Sequence, residues 1–408
     1  MAIALAVKEA LSSSSMIRKM FEEGNELKKK YGADKVFDFS LGNPDLEPPE
    51  AFRQVFSRLA EEDASGKTKG KHGYMPNAGY PDVRETISKK ASFEHNCTVP
   101  PAHIIMTSGA AGGLNVVLKS ILNPGDEIIV PKPYFMEYRS YVNNHGGKLI
   151  EAATLPDFSL DPKEIKKALS KKTAAVLINS PNNPTGKVYK YGDIEALAEL
   201  LFKHGKKTGR TPYLVADEPY REIVYNGISV PPILSAYNES IVVTSYSKNL
   251  SLPGERIGYI AVGPDISEKE DVLAALIYAN RVLGFVNAPA LMQRIVAALN
   301  DQKAAIEIYK RRRDSFMEVL DNAGISYAEP EGAFYFFAKV PAKNPHDTSP
   351  ADDRAFSEHL KKNLVLGVPG SSFAAPGWIR FAYCVDEKFI HASADAFKEA
   401  MKEWRLMS

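Results

Sequence analysis

Four short stretches of this 408-residue chain carry side chains whose types and spacing could do chemistry. In Ser245–Arg256, SYSKNLSLPGER, Lys248 stands among hydroxyl and amide residues and is followed by Gly254 and Arg256. A lysine in that setting is read either as a solvated loop residue or as a Schiff-base lysine, whose amine becomes useful once its pKa is lowered. In DEPYREIVYNG, Asp217 precedes Tyr220 by three residues. Its carboxylate could cap a helix or hold a cationic heterocycle. NSPNNPTGKVY holds more asparagines than a turn requires, so one of them is a candidate to face a ligand. TSGAAGGLNVVLKSIL begins a helical pattern with Gly109, Ala110 and Ala111. Small residues at a helix start let backbone N–H groups approach an anion, although a tight strand–helix turn explains the same residues. The stretch is neither a P-loop nor a dinucleotide fingerprint, because it lacks the Gly-Lys-Ser/Thr and glycine spacings of those motifs.

Each stretch follows a short apolar run, and those runs are the elements that must position the chemistry. They recur at His103–Met106, Glu127–Val130, Lys148–Ala152, Ala174–Ile178, Tyr213–Ala216, Ile241–Thr244 and Tyr259–Val262. Helical patterns at Gly113–Leu122, Pro162–Leu169 and Tyr191–Lys203 separate several of them. The alternation predicts an α/β fold with a mostly parallel, seven-stranded type of sheet. In such sheets ligands lie beyond the carboxyl ends of the strands, which is where these residues fall. Upstream, Met16–Tyr31 reads as an amphipathic helix, FDFSLGNPDLEPPE as a strand entering a Pro-rich turn, and SGKTKGKH (Ser65–His72) as a mobile loop. Downstream, one long charged helix over about 290–323 and a strand in GAFYFFAKV predict a smaller α+β unit. The expected division is an N-terminal segment 1–48 packing with the small unit, a large α/β domain 49–290, and a small domain 291–408.

Composition narrows the function classes. Hydrophobic residues make up 44% and charged residues 25%, with a formal net charge of +1, so nothing favours nucleic acid or an anionic membrane as partner. The basic run Lys310–Arg313 lies in a helical pattern and reads as a solvated helix face. Cys97 and Cys384 are far apart and outside any CxxC spacing, which excludes a disulfide framework or a Cys-type zinc site as the expectation and fits a reducing, cytoplasmic compartment. No metal site is expected. The N-terminus is not read as a signal peptide, and the apolar stretch 271–299 is too interrupted by polar residues to span a bilayer.

A lysine, an aspartate, an asparagine, a tyrosine, an arginine and an anion-ready helix start thus converge on one sheet edge. Pyridoxal 5′-phosphate needs this set: an aldehyde for lysine, a ring nitrogen for a carboxylate, a phenolic oxygen for amide and hydroxyl donors, and a phosphate for Arg, Ser and backbone N–H groups.

Taken together and in order, SLGNPD, SPNNPTG, DEPY, SYSKNLSLPGERIGY and GWIRFAYC make the chain resemble the class I/II, fold type I, pyridoxal-phosphate aminotransferases over nearly its whole length. The resemblance implies roles residue by residue. Lys248 would carry the cofactor, Asp217 would pair with the ring nitrogen, and Asn183 and Tyr220 would bond the phenolic oxygen. Ser245 and Arg256, with backbone amides near Gly109, Ala110 and Ala111, would hold the phosphate. Phe135, preferred over Tyr134, would stack on the ring. Tyr74 would reach the phosphate of a neighbouring subunit, which implies a homodimer with shared sites. Arg380 would clamp the substrate α-carboxylate, helped by the backbone at Gly42. Ala110 and Ala111 depart from the polar residues many relatives place in the phosphate turn. Arg281 is a candidate to read a side-chain carboxylate, against a structural reading. The implied reaction moves an amino group between an amino acid (aspartate, alanine or aromatic type) and a 2-oxo acid such as 2-oxoglutarate. The alternatives are a β/γ-lyase or an aminocyclopropane-carboxylate-synthase-like enzyme, which share the cofactor residues, and a non-catalytic regulator, which would need a DNA-binding module that the sequence does not display.

Overall fold

The computed structural model describes residues 3–4, 7–8, 16–66, 70–342 and 351–406. Part of the proposed N-terminal segment and residues 67–69 of the proposed loop lie outside these. The amphipathic helix runs over Met16–Tyr31 and leads to a two-residue strand, β1 (Phe37–Asp38).

The seven apolar runs all form strands: β2 (Ile104–Thr107), β3 (Glu127–Lys132), β4 (Lys148–Ala153), β5 (Thr173–Asn179), β6 (Tyr213–Asp217), β7 (Ser240–Ser245) and β8 (Gly258–Val262). They pair in the order β2-β8-β7-β6-β5-β3-β4. Only β8 runs against its neighbours, pairing antiparallel with both β2 and β7. The central strands read as continuous apolar runs because both faces are covered, and all seven residues of β5 are buried. Alternate residues feed different cores, as the two-residue period of a strand requires. Val176, Ile178, Leu214, Ala216 and Val242 join one cluster, while Ala175, Leu177, Val215, Ile241 and Val243 join the cluster on the opposite face.

A second, aromatic core holds Phe39, Phe316, Phe336, Phe381 and Phe397. It packs around β9 (Tyr327–Ala328), β10 (Tyr335–Lys339), β12 (Val368–Pro369) and β13 (Trp378–Ala382), which form an antiparallel sheet in the order β12-β13-β10-β9, while β11 (Val365–Leu366) pairs parallel with β1. Two expectations are corrected here. The long helix is two, Ala290–Ala298 and Ile306–Ala323, interrupted where Asn300 and Asp301 favour a turn. Nor is the whole basic run a solvated face: Arg311 is exposed, but the two arginines after it are not. Arg312 is buried and grips Asp45 with two bonds of 2.6 and 3.1 Å, and Arg313 is buried over the Tyr225 ring. A charge pattern on one helix cannot reveal that Asp45, far away in the chain, folds over it. Among the described residues no helix is long and apolar enough to cross a membrane.

Candidate active site

The carboxyl ends of β5, β6 and β7 fall on one edge of the sheet and deliver Asn179, Asp217 and Ser245, with Asn179 paired directly to Asp217 in the ladder. Gly258 opens β8 at the same edge and pairs with both Thr107 and Ser245. That register places Arg256 beside the start of the Gly109–Ile121 helix. A Cβ on Gly109 would meet the Arg256 guanidinium at 2.9 Å, and Gly109 has φ +70°, a conformation that favours glycine.

A cavity of about 350 Å³ opens at this edge. Its wall includes the expected Gly42, Ala110, Ala111, Phe135, Asn183, Asp217, Tyr220, Ser245, Lys248, Arg256 and Arg380. Two expected residues stand elsewhere. Gly109 lies beside Arg256 but is not part of the wall. Tyr74 is 94% exposed and lines no part of its own chain's cavity. Tyr134 is buried and hydrogen-bonded to Glu151 at 2.9 Å, so of the two aromatic candidates Phe135 alone faces the space. Arg281 is exposed over the Tyr278 ring and does not line this cavity.

Asp217 caps no helix; an irregular turn follows it. Burial pushes its carboxyl up to about 7, against the opposing pull of the Tyr138 hydroxyl, which donates to Oδ2 at 2.5 Å. Its Oδ1 is buried without any hydrogen-bond partner among the described residues. An orphaned buried acceptor costs about 1–3 kcal/mol, and such an atom on a cavity wall is explained by a donor that arrives from outside. Lys248 donates to the Gly42 carbonyl at 2.6 Å, and its pKa is lowered to about 8, chiefly by burial, with Arg380 and Arg256 adding repulsion. Its neighbour Asn249 is anchored to Glu222 at 2.7 Å, itself paired with Lys90 at 2.7 Å, which fixes the turn that presents the lysine.

Arg380, on β13, is 2% exposed. It donates to Asn183 Oδ1 at 2.9 Å and to the Ser40 carbonyl at 2.6 Å, and its guanidinium lies 4.6 Å from the Tyr335 ring centroid. A guanidinium buried this deeply must be hydrogen-bonded, and a carboxylate is its best-matched partner. Tyr335 completes the wall. Its hydroxyl lies 2.7 Å from that of Tyr220, and it leaves no room for a side chain at position 42, where a Cβ would fall 2.0 Å away.

Sequence reasoning missed Tyr138, Tyr141, Ser247, Asn179, Glu137 and Tyr335, all of which line the cavity. Tyr138 follows Phe135 at helical spacing, so the motif could have been extended to it. Tyr335 lay inside an apolar strand, with nothing local to separate it from core aromatics. The residues present fit pyridoxal 5′-phosphate. Asp217 Oδ1 awaits a donor, and Lys248 is held with a depressed pKa. Ser245, Ser247 and Arg256 line the cavity together with Ala110 and Ala111 from the first turn of a 13-residue helix, and Phe135 offers an aromatic face.

Comparison with known proteins agrees. Residues 34–397 match the family "Aminotransferase class I and II". The chain is 34% identical to the aspartate/prephenate aminotransferase of Thermus thermophilus over 91% of this chain and 92% of that protein. It is 28% identical to the aromatic-amino-acid aminotransferase 2 of Thermococcus litoralis over 99% and 100% of the two chains. Among solved structures, an amino transferase of Eubacterium rectale superposes with a TM-score of 0.92 at 36% identity, covering 99% of each chain. The Thermus thermophilus aspartate aminotransferase with maleate gives 0.83 at 30% identity, covering 95% of this chain and 97% of that one.

Proposed function

Because this chain belongs to the class I and II aminotransferases, enzymes that use pyridoxal 5′-phosphate to move an amino group between an amino acid and a 2-oxo acid, we propose that its cavity divides that work among the residues as follows. The observation that carries the proposal is the buried, unpartnered Oδ1 of Asp217 on the wall that also presents Lys248 and Arg380. When bound, the cofactor supplies an electrophilic carbon for an amine and an electron sink for the bond broken at Cα. Lys248 is the attachment residue. Its depressed pKa leaves more of the amine neutral near pH 8 than in an ordinary lysine, and once free its Nζ would take the substrate Cα proton and hand it to the carbon that the cofactor offers to the amine, so that the amino group stays behind. Asp217 meets the protonated ring nitrogen with Oδ1, while Tyr138 fixes Oδ2. Asn183 and Tyr220 serve the phenolic oxygen, with Tyr335 orienting the Tyr220 hydroxyl. Ser245, Ser247, Arg256 and the N–H groups from Gly109 onward hold the phosphate; with Ala110 and Ala111 there, the grip falls on backbone and arginine. Phe135 covers one ring face. Arg380, steadied by Asn183 and the Ser40 carbonyl, takes the substrate α-carboxylate.

Tyr74 belongs, on this reading, to the site of a second copy. Asn77 donates to the Val286 carbonyl and accepts from Asn280, both at 3.0 Å, tying the segment of exposed Tyr74 to that of exposed Tyr278 and Val282. Exposed aromatic and aliphatic residues on adjoining segments support a homodimer face. The two cores support a division into a large unit around the seven-stranded sheet and a small unit around the aromatic cluster. The free thiols of Cys97 and Cys384 support a reducing, cytoplasmic setting.

The test is a half-reaction: holoenzyme mixed with one amino acid at a time and no oxo acid. Transfer yields one equivalent of 2-oxo acid per site with the amine retained on the enzyme. Released ammonia or a cyclised product would replace this reading with a lyase or cyclising one.

A further inference from the structure

Among the described residues, five charged side chains line the cavity: the cations Lys248, Arg256 and Arg380, and the carboxylates Asp217 and Glu137. The first four have a task in cofactor or substrate binding. Glu137 has none in cofactor binding or proton transfer, yet it is built into the wall. It opens the helix Glu137–Asn144, between Phe135 and Tyr138, and Tyr141 one turn later lines the same space. Its charge is felt across the cavity: after burial it is the next influence raising Tyr141, and it acts on the Arg380 guanidinium.

An amino acid with its Cα beside Lys248 Nζ and its α-carboxylate on Arg380 extends its side chain into the remaining space. Leu41, Phe135, Tyr141 and Tyr335 give that space an apolar and aromatic lining. Among the described residues none offers it a cation beyond those already committed, and Arg281 is not among the lining residues. A second carboxylate on the substrate would face like charge in a partly desolvated site, whereas an amine or guanidinium would form a charge-assisted hydrogen bond. We infer that Glu137 sets side-chain specificity, favouring amino acids whose side chain ends in a cationic hydrogen-bond donor and disfavouring those ending in a carboxylate. This rests on the assignment of Arg380 and Lys248 above. It parts company with the aspartate in several relatives' names.

The test is calorimetric binding of three unreactive carboxylates to the holoenzyme: 4-guanidinobutanoate, pentanoate and glutarate. None carries an amine that can react with the cofactor, so affinity is read without turnover. Wild type binds the guanidino acid tighter than glutarate by on the order of tenfold or more, the effect of one charge-assisted hydrogen bond gained or one repulsion relieved. Glu137→Gln narrows or reverses that ratio and leaves pentanoate within about twofold. Glu137→Ala does the same if the amide variant fails to fold. Glutarate binding tighter than the guanidino acid in wild type overturns the inference, as does a ratio unmoved by both substitutions. Pentanoate binding that is equal in wild type and Arg380→Ala would instead overturn the α-carboxylate assignment beneath it.

Discussion

At the scale of single residues, the site is a set of buried polar groups held in states they would not adopt in water. Asp217 is the clearest case, and it leads to a trade-off between stability and function. In the unfolded chain its carboxyl titrates near 3.8; in the folded cofactor-free protein burial raises it to about 7. A group whose pKa is raised by folding contributes stability below its unfolded pKa and loses that contribution as pH rises through the folded value. Each pH unit of this window weighs about 1.4 kcal/mol, so the ionised carboxylate costs the apo fold on the order of 4 kcal/mol above pH 7. Asp217→Asn should therefore make the apoenzyme more stable relative to wild type as pH rises from about 4 to 7, with a level difference above. It should also slow Cα proton removal in the holoenzyme by orders of magnitude. Urea unfolding of both apoproteins at pH 5 and pH 8 checks the first part; a constant difference would remove the carboxylate's burial from the account. Lys248, Asp217, Asn183 and Arg380 were legible in the sequence because each sits in a motif at a strand end or in GWIRFAY. Glu137 and Tyr335 were not, since their role comes from which wall they join rather than from their neighbours in the chain.

At the scale of elements, the central strands were legible from apolar runs alone, because a strand buried on both faces has no other composition available, whereas the edge strand β4 is only partly buried. The segment 39–45 was legible only in part: the resemblance placed the backbone at Gly42 in the site, but not the partners that hold the segment, which brings the Gly42 carbonyl to Lys248 and the Ser40 carbonyl to Arg380, while Arg312 clamps its Asp45. Those three partners come from distant parts of the chain, so no local pattern could announce them. The segment is also tight: a methyl group at position 42 would overlap the Tyr335 hydroxyl and ring edge. Gly42→Ala should cost about 1–3 kcal/mol in stability, as overpacking does. It should cost disproportionately more in activity, because the Tyr335–Tyr220 and Lys248–Gly42 bonds both depend on this packing. Tyr335→Leu removes the obstructing atoms, so the double variant should be less destabilised than the two single effects combined. Strict additivity in a double-mutant cycle would show that the loop and the ring do not compete for this space.

At the scale of the whole molecule, the large sheet, the small sheet and the segment 39–45 enclose the cavity together, but Tyr74 belongs to none of its walls. If two copies share their sites, inactive Lys248→Ala and inactive Tyr74→Ala chains should complement each other after mixing and re-association. Random pairing yields hybrids in half of the dimers, each with one intact site, so about a quarter of wild-type activity per chain should return. No recovery, with hybrids demonstrated by native mass spectrometry, would contradict shared sites. The broad α/β plan was legible from element order, whereas a partner for Tyr74 was implied by the family resemblance alone, because an exposed tyrosine in sequence looks the same whether it meets water or a partner. The proposed chemistry depends on Lys248 being the point where the cofactor joins the chain. The most direct measurement is reduction of the holoenzyme with borohydride, followed by peptide mapping by mass spectrometry. The structure predicts one pyridoxyl group per chain, on Lys248 in the SYSKNLSLPGER peptide. A stoichiometric label on any other lysine, or none at all on a protein that still transfers amino groups, would contradict it.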